Sequence, residues 1–262
     1  FFNFRSDRMR EIVGCFGTEN KPFEHETTTI RANLNVTQFT RYDASLPLPI
    51  IFPPQDMRDG LSEWVSKKGC KQFHVAETEK YAHVTLFFNG GIEKAFENEE
   101  RQLIASPSVP TYDHQPEMSA EGVGKACAAA ISKNEYDIVI VNFAPPDMVG
   151  HTGVYPAAVK AIEATDAAIG IIQKACHENG YILFVTADHG NAEQMISTDG
   201  LTPHTAHTSN LVPLYVEYPA NATKPAVGLT SGGGLRDVAP TVLAILDITP
   251  PDVMTGQNLL KF

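Results

Sequence analysis

Positive charge is scarce in this sequence: 20 Lys and Arg stand against 31 Asp and Glu in 262 residues, a formal net charge of −11. A general binder of nucleic acid or of an anionic membrane surface needs a basic footprint, so no nucleic-acid or membrane partner is expected. Long apolar runs are also missing. The longest, 138–144, is broken by Asn142 and falls far short of the ~18 residues of a membrane span. Cysteine is sparse, with Cys15, Cys70, Cys127 and Cys176 lying about fifty residues apart and no C-x-x-C pair. That spacing indicates neither a zinc knuckle nor a disulfide framework and fits a reduced, cytoplasmic setting. There are no internal repeats and no low-complexity tracts. A phosphate loop is lacking too, because Gly232-Gly233-Gly234 has no following Lys-Ser/Thr and reads as a flexible turn. The chain opens Phe-Phe-Asn-Phe-Arg, without methionine or a polar leader, and reads as lacking its natural start.

What is present is an alternation of helical and strand-like segments. Residues 1–46 carry short strand-like pieces at 1–4, 28–30 and 36–42. Four prolines between Pro47 and Pro54 then predict an extended connector, since proline neither continues a helix nor sits in a central strand. Beyond it, 60–68, 119–133, 156–177 and 237–246 read as helices, the third carrying apolar residues at Val159, Ile162, Ile169, Ile172 and Cys176. Segments 72–76, 83–88, 136–144, 181–187 and 211–216 read as strands. Ser119 is placed as a helix N-cap and Gly180 as a helix stop. Fully apolar strands between amphipathic helices predict an α/β fold: a mostly parallel sheet covered by helices on both faces.

In such folds chemistry gathers beyond the carboxyl ends of the strands. Segment 136–144 runs into Pro145-Pro146-Asp147 and then Gly150-His151. Segment 181–187 runs into Asp188-His189-Gly190-Asn191, and His204-Thr-Ala-His207 precedes the next strand. Taken singly, Asp147 reads as a helix cap and His204 or His207 as a solvated loop residue. An adjacent Asp188-His189 pair at the end of an apolar strand needs partners, however, and all three clusters fall at one sheet edge. Carboxylate and imidazole donors without thiolate suit manganese, zinc or magnesium. Lys80, in Glu77-Thr-Glu79-Lys80, follows another strand and reads either as a group that meets an anion or, on the residues alone, as part of an exposed charge cluster. Arg5 and Arg8, three apart, have the spacing of a two-pronged clamp or of an ordinary surface pair.

Taken together, Asn-Phe-Arg5-Ser-Asp-Arg8, Ala76-Glu-Thr-Glu-Lys80-Tyr-Ala-His-Val-Thr, Asp147-Met-Val-Gly-His151-Thr-Gly, Thr186-Ala-Asp188-His189-Gly-Asn and Thr205-Ala-His207-Thr resemble the cofactor-independent phosphoglycerate mutases. The closing Leu235-Arg-Asp-Val-Ala-Pro-Thr-Val-Leu resembles the end of the wider alkaline-phosphatase superfamily domain. The resemblance implies interconversion of 3- and 2-phosphoglycerate through a phosphoserine, at a site with two manganese ions; magnesium, cobalt or zinc are alternatives. It implies that Asp147, His151 and His207 hold one ion and Asp188 with His189 hold the other. Arg5 and Arg8 would clamp the substrate, and Lys80 would serve both binding and catalysis beside the transferred phosphoryl group. On this pattern residues 1–50 are the tail of an inserted phosphotransferase domain, 51–55 a hinge, and 56–262 a metal-binding phosphatase-like domain short of its first segment. The family's nucleophilic serine has no counterpart here, so the chain alone is expected to be inactive. The partner is expected to be a small molecule and the protein a monomer. Another phosphomutase or phosphatase of the superfamily, or a non-catalytic metal-binding fragment, stays open on the residues alone.

Overall fold

The computed structural model describes residues 1–4, 9–17, 34–53, 55, 57–223 and 225–261. The chain divides into two compact units, Phe1–Asp56 and Met57–Phe262. Arg5 and Arg8, and the strand expected at 28–30, lie outside the described residues.

The first unit holds α1 (Met9–Gly17) and two short parallel strands, β1 (Gln38–Thr40) and β2 (Ile50–Phe52). The Pro-rich stretch is therefore not a plain connector. It contributes β2 beside β1, and the Pro49 carbonyl accepts the Gln38 N–H at 2.8 Å. A proline can serve there because it has only to accept. Residues 1–4 form no strand; Phe2 and Phe4 instead pack edge-on against Phe39, with ring centroids 4.5 and 5.0 Å away.

The second unit is built on a parallel sheet in the order β4 (Glu99–Ile104), β3 (Gln72–Glu77), β5 (Ile138–Asn142). β3 is buried along its whole length. Its Phe73 and Val75 pack with Val123 and Cys127 of α4 (Ala120–Ser132) and Ile172 and Cys176 of α6 (Tyr155–Asn179). On the opposite face Ile138 of β5 packs with Val65 of α2 (Leu61–Lys67) and Leu243 of α7 (Val238–Ile245). Helices thus cover both faces, as the alternation predicts. β6 (Leu183–Thr186) departs from the parallel rule by pairing antiparallel with β7 (Leu214–Glu217), and β8 (Gly228–Leu229) with β9 (Leu260–Lys261) likewise. Among the described residues no helix is long and apolar enough to cross a membrane.

Three local expectations are corrected. Segment 83–88 is not a strand: after a turn of 3-10 helix it forms α3 (Tyr81–Val84) and successive tight turns, with Phe87 N–H bonded to the Ala82 carbonyl and Asn89 N–H to that of Thr85. The Val84 carbonyl is held by the buried His74 Nδ1–H at 2.6 Å, and this contact overrides the β propensity of Val-Thr-Leu-Phe-Phe. Of the apolar residues expected on α6, Ile172 and Cys176 are buried, but Val159 and Ile162 stay exposed and the rest of the buried face is alanine, Ala157, Ala161, Ala168 and Ala175, because small residues let α4 approach closely. Ser119 precedes α4, but its hydroxyl donates to the Ala105 carbonyl and does not cap the helix.

Candidate metal centre

β5 ends at Asn142 and the chain turns into α5 (Pro145–Gly150), which Pro145 and Pro146 can open because the first-turn N–H groups need no helical partner. Asp147 lies in the first turn and His151 four residues on, so both fall on one helical face. The Thr205 carbonyl accepts the His151 Nδ1–H at 2.7 Å, which leaves the Nε2 lone pair of a neutral ring facing inward. His207 arrives from the loop before β7. Its Nε2 lies 3.1 Å from His151 Nε2 and 3.1 Å from Asp147 Oδ1, and His151 Nε2 is also 3.1 Å from Asp147 Oδ1.

These three donor atoms make an equilateral triangle, the one potential metal cluster among the described residues. Nitrogen and oxygen ligands bind a divalent first-row ion at roughly 2.0–2.2 Å, which sets neighbouring donors about 3 Å apart. Lone pairs of two imidazole nitrogens and a carboxylate converging at this spacing are placed to share one cation. The donor set therefore fits a divalent metal.

Lys80, 7 % exposed, donates to the other carboxylate oxygen, Asp147 Oδ2, at 2.5 Å. Burial pushes the Asp147 carboxyl up, but the Lys80 hydrogen bond and charge, with His151 and Asn191, outweigh it and hold the group below the usual value. The surroundings thus favour the ionised form of the Asp147 carboxyl.

Asp188 and His189 follow β6. Asp188 is exposed, with Oδ2 3.6 Å from His189 Nε2. The His189 ring stacks on His207, with centroids 3.7 Å apart. The structure therefore brings Lys80, Asp147, His151, His189 and His207 together, with Asp188 at the exposed margin. His204 shares the His207 loop but lies outside the triangle.

Three further residues belong to this neighbourhood and escaped the motif reading. Asn191, 4 % exposed, donates from Nδ2 to Asp147 Oδ1 at 2.9 Å. Its own Oδ1 is buried without a partner, a cost of about 1–3 kcal/mol. Glu193 accepts from Asn191 N–H at 2.6 Å, from Asn210 Nδ2 at 2.9 Å and from the Thr208 hydroxyl. It clasps the loop carrying Asp188 and His189 to the loop carrying His207. His83 on α3 is drawn below the usual imidazole value by burial and by Lys80, with Asp188 and Asp147 opposing. Side-chain-to-side-chain reach across the chain has no linear spacing, although the Asp-His-Gly-Asn run did place Asn191 beside the ligands.

A groove of about 410 Å³ opens next to Asp188 and His189, lined by Leu211, Leu214, Leu229 and Val238 among others. Among the described residues no Lys or Arg lines it.

A model described as the metalloenzyme superfamily matches residues 7–250. The 2,3-bisphosphoglycerate-independent phosphoglycerate mutase of Brugia malayi is 51% identical over 264 residues, covering 100% of this chain and 50% of the relative. That of Caenorhabditis elegans is 50% identical over 262 residues, covering 100% of this chain and 48% of the relative. A crystal structure of Leishmania mexicana phosphoglycerate mutase at low cobalt concentration superposes with a TM-score of 0.78 at 27% identity, over 98% of this chain and 49% of that one. The chain spans about half the length of the relatives it matches.

Proposed function

Because this chain belongs to the metalloenzyme superfamily, we propose that it is the metal-binding portion of a phosphoglycerate mutase that works without 2,3-bisphosphoglycerate. The observation that carries the reading is the 3.1 Å triangle of Asp147, His151 and His207, backed by Lys80 and present in a chain half identical to such enzymes. Asp147, His151 and His207 would hold one divalent ion, manganese by preference, and Asp188 with His189 would contribute to a second. A cation so held supplies a Lewis acid that offsets negative charge developing on a transferred phosphoryl group.

The reaction is transfer of the phosphoryl group of 3-phosphoglycerate to a serine hydroxyl, reorientation of the bound glycerate, and return of the group to its other hydroxyl. Lys80 keeps Asp147 ionised and presents a fixed positive charge at the site. Thr205 keeps the His151 ring in the tautomer that exposes Nε2. Arg5 and Arg8 bind the substrate's anionic groups, and residues 1–50, as the remnant of an inserted domain, meet the hinge at 51–55. Exclusion of water during reorientation separates a mutase from a phosphatase, since water competing for phosphoserine gives hydrolysis. The serine would come from the portion of the longer protein that these residues do not include, so residues 1–262 alone are silent. The protein is cytoplasmic and monomeric, with no nucleic-acid partner.

The test is an enolase-coupled assay of the full-length gene product with 3-phosphoglycerate and manganese, beside the same assay on residues 1–262. Turnover by the full-length protein only is the expected result. Release of inorganic phosphate without 2-phosphoglycerate would assign it to the phosphatases of the superfamily, and full turnover by residues 1–262 would place the nucleophile within this chain.

A further inference from the structure

Asn191 stands three residues after Asp188 and two after His189, on the loop that leaves β6. Its side chain nevertheless crosses to the other donor set and binds Asp147, which follows β5. Each oxygen of the Asp147 carboxylate then has its own donor: Lys80 on Oδ2 and Asn191 on Oδ1. Oδ1 is also the oxygen that faces both histidines at 3.1 Å. With Oδ2 engaged by the ammonium, Asp147 can offer a ligand only through Oδ1, and the Asn191 amide sets the direction of the remaining lone pair.

The amide is itself held from two sides. Its backbone N–H is fixed by Glu193, which also grips Thr208 and Asn210 beside His207. Its side chain lies flat against Gly150, where an added Cβ would collide with Oδ1 and stand 2.9 Å from Cγ. The amide cannot turn over, because its oxygen would then face the Asp147 carboxylate oxygen. A buried side-chain carbonyl is left unsatisfied while the amide nitrogen donates to Asp147, to Oδ1 at 2.9 Å and to the backbone carbonyl at 3.5 Å.

We propose that Asn191 is a positioning residue that couples the two donor sets: the position of the Asp188–His189 loop dictates the orientation of the Asp147 carboxylate. Ordering of that loop by an ion at Asp188 and His189 fixes the Asn191 amide, and the first set then binds its own ion more tightly. By linkage the effect runs equally in the other direction. The inference rests on the two-cation reading of the site.

The experiment is a manganese titration of the full-length protein, followed by the electron paramagnetic resonance of the free ion. It compares the parent, Asn191→Ala, Asp188→Asn and the double variant, with Asp147→Asn marking the step that belongs to the first set. Asn191→Ala is expected to weaken binding at the first set by about 10-fold or more, the usual consequence of losing a partner that orients a ligand. Asp188→Asn is expected to weaken the first set in the parent, and to leave it within about 2-fold once Asn191 is alanine, as lost coupling requires. A residue that merely supports the loop would not abolish that dependence. Gly150→Ala displaces the amide without altering any polar group and is expected to reproduce Asn191→Ala; the same criteria apply to it should Asn191→Ala fail to fold. Unchanged first-set affinity, or an equal effect of Asp188→Asn in both backgrounds, overturns the inference. A parent that binds manganese tightly but lacks mutase turnover would sink the proposed reaction and leave the coupling measurable.

Discussion

His189 and His207 lie face to face, their ring centroids 3.7 Å apart and their planes 20° from parallel, although one follows β6 and the other precedes β7. The stack is held by a short bridge beside it, in which Thr208 N–H donates to the Gly190 carbonyl at 2.9 Å, and by the Glu193 clasp. Both proposed ion sites thus share a wall of two imidazoles.

Gly190→Ala should pry that wall apart. A Cβ at Gly190 would run into Thr208 Oγ1 and Glu193 Oε1, the two atoms that close the clasp. Manganese affinity measured by calorimetry on the full-length protein should fall by about 10–100-fold. Parental affinity in this variant would show that the clasp does not position the ligands.

Lys80→Met should destabilise the metal-free protein. It leaves the Asp147 carboxylate, 14 % exposed, without its cation. The loss should be roughly 2–3 kcal/mol, at or below the low end for a broken buried pair because the site opens to water on one side. The urea midpoint reads it directly, and an unchanged midpoint would mean that the pair contributes nothing to the fold.

Glu77→Gln should do the opposite, and its sign depends on pH. Burial raises the Glu77 carboxyl, against hydrogen bonds from Ser106 and the Ser119 N–H, and its Oε1 has no partner. The folded protein therefore holds this proton to higher pH than the unfolded chain does. Stability falls as pH rises through the unfolded value near ~4.3 towards the raised folded value, and stays reduced above it. Glutamine keeps the acceptor and removes the charge. Removing the charge from this buried site is worth about 1 kcal/mol, so at neutral pH the melting temperature should rise by roughly 2–4 °C. Below the unfolded value the advantage should vanish. A variant no more stable than the parent at neutral pH would refute the account.

Arg8→Lys in the full-length protein tests the substrate clamp. Lysine keeps the charge but loses the planar fork, so the variant should bind phosphoglycerate more weakly by ~1–3 kcal/mol, the range for a charged hydrogen bond. The effect should appear in KM, with metal affinity unaltered. Unchanged KM and kcat would make Arg8 an ordinary surface residue.

Much of this was legible in the linear sequence because strand ends announce themselves. The apolar run before Asp147 and the one before Asp188 both become strands, β5 and β6, and the two His-bearing loops follow from them. The His207 loop was placed by motif, and its convergence on Asp147 could be stated only as an expectation. The polar segment Glu-Glu-Arg-Gln-Leu-Ile escaped notice as a strand, since β4 lies at an edge and shows charge where a central strand shows valine. Segment 83–88 misled for the converse reason: its β-branched and aromatic residues serve a turn pinned by His74. Asn191 and Glu193 act through contacts with residues distant in sequence, and no periodicity reports such contacts.

β3 is hydrogen-bonded to a parallel neighbour on each side and every residue in it is buried, whereas β6 pairs only with β7 and Tyr215 there is 52% exposed. In a hydrogen-exchange experiment β3 amides should therefore be among the slowest, while β6 and β7 should exchange through cheaper local opening. Asp147 and His151 follow β5, which pairs with the buried β3, whereas Asp188, His189 and His207 lie on the loops of the β6–β7 pair. On gentle warming the β6 and β7 loops, carrying Asp188, His189 and His207, should therefore leave first, while Asp147 and His151 on α5 stay in place.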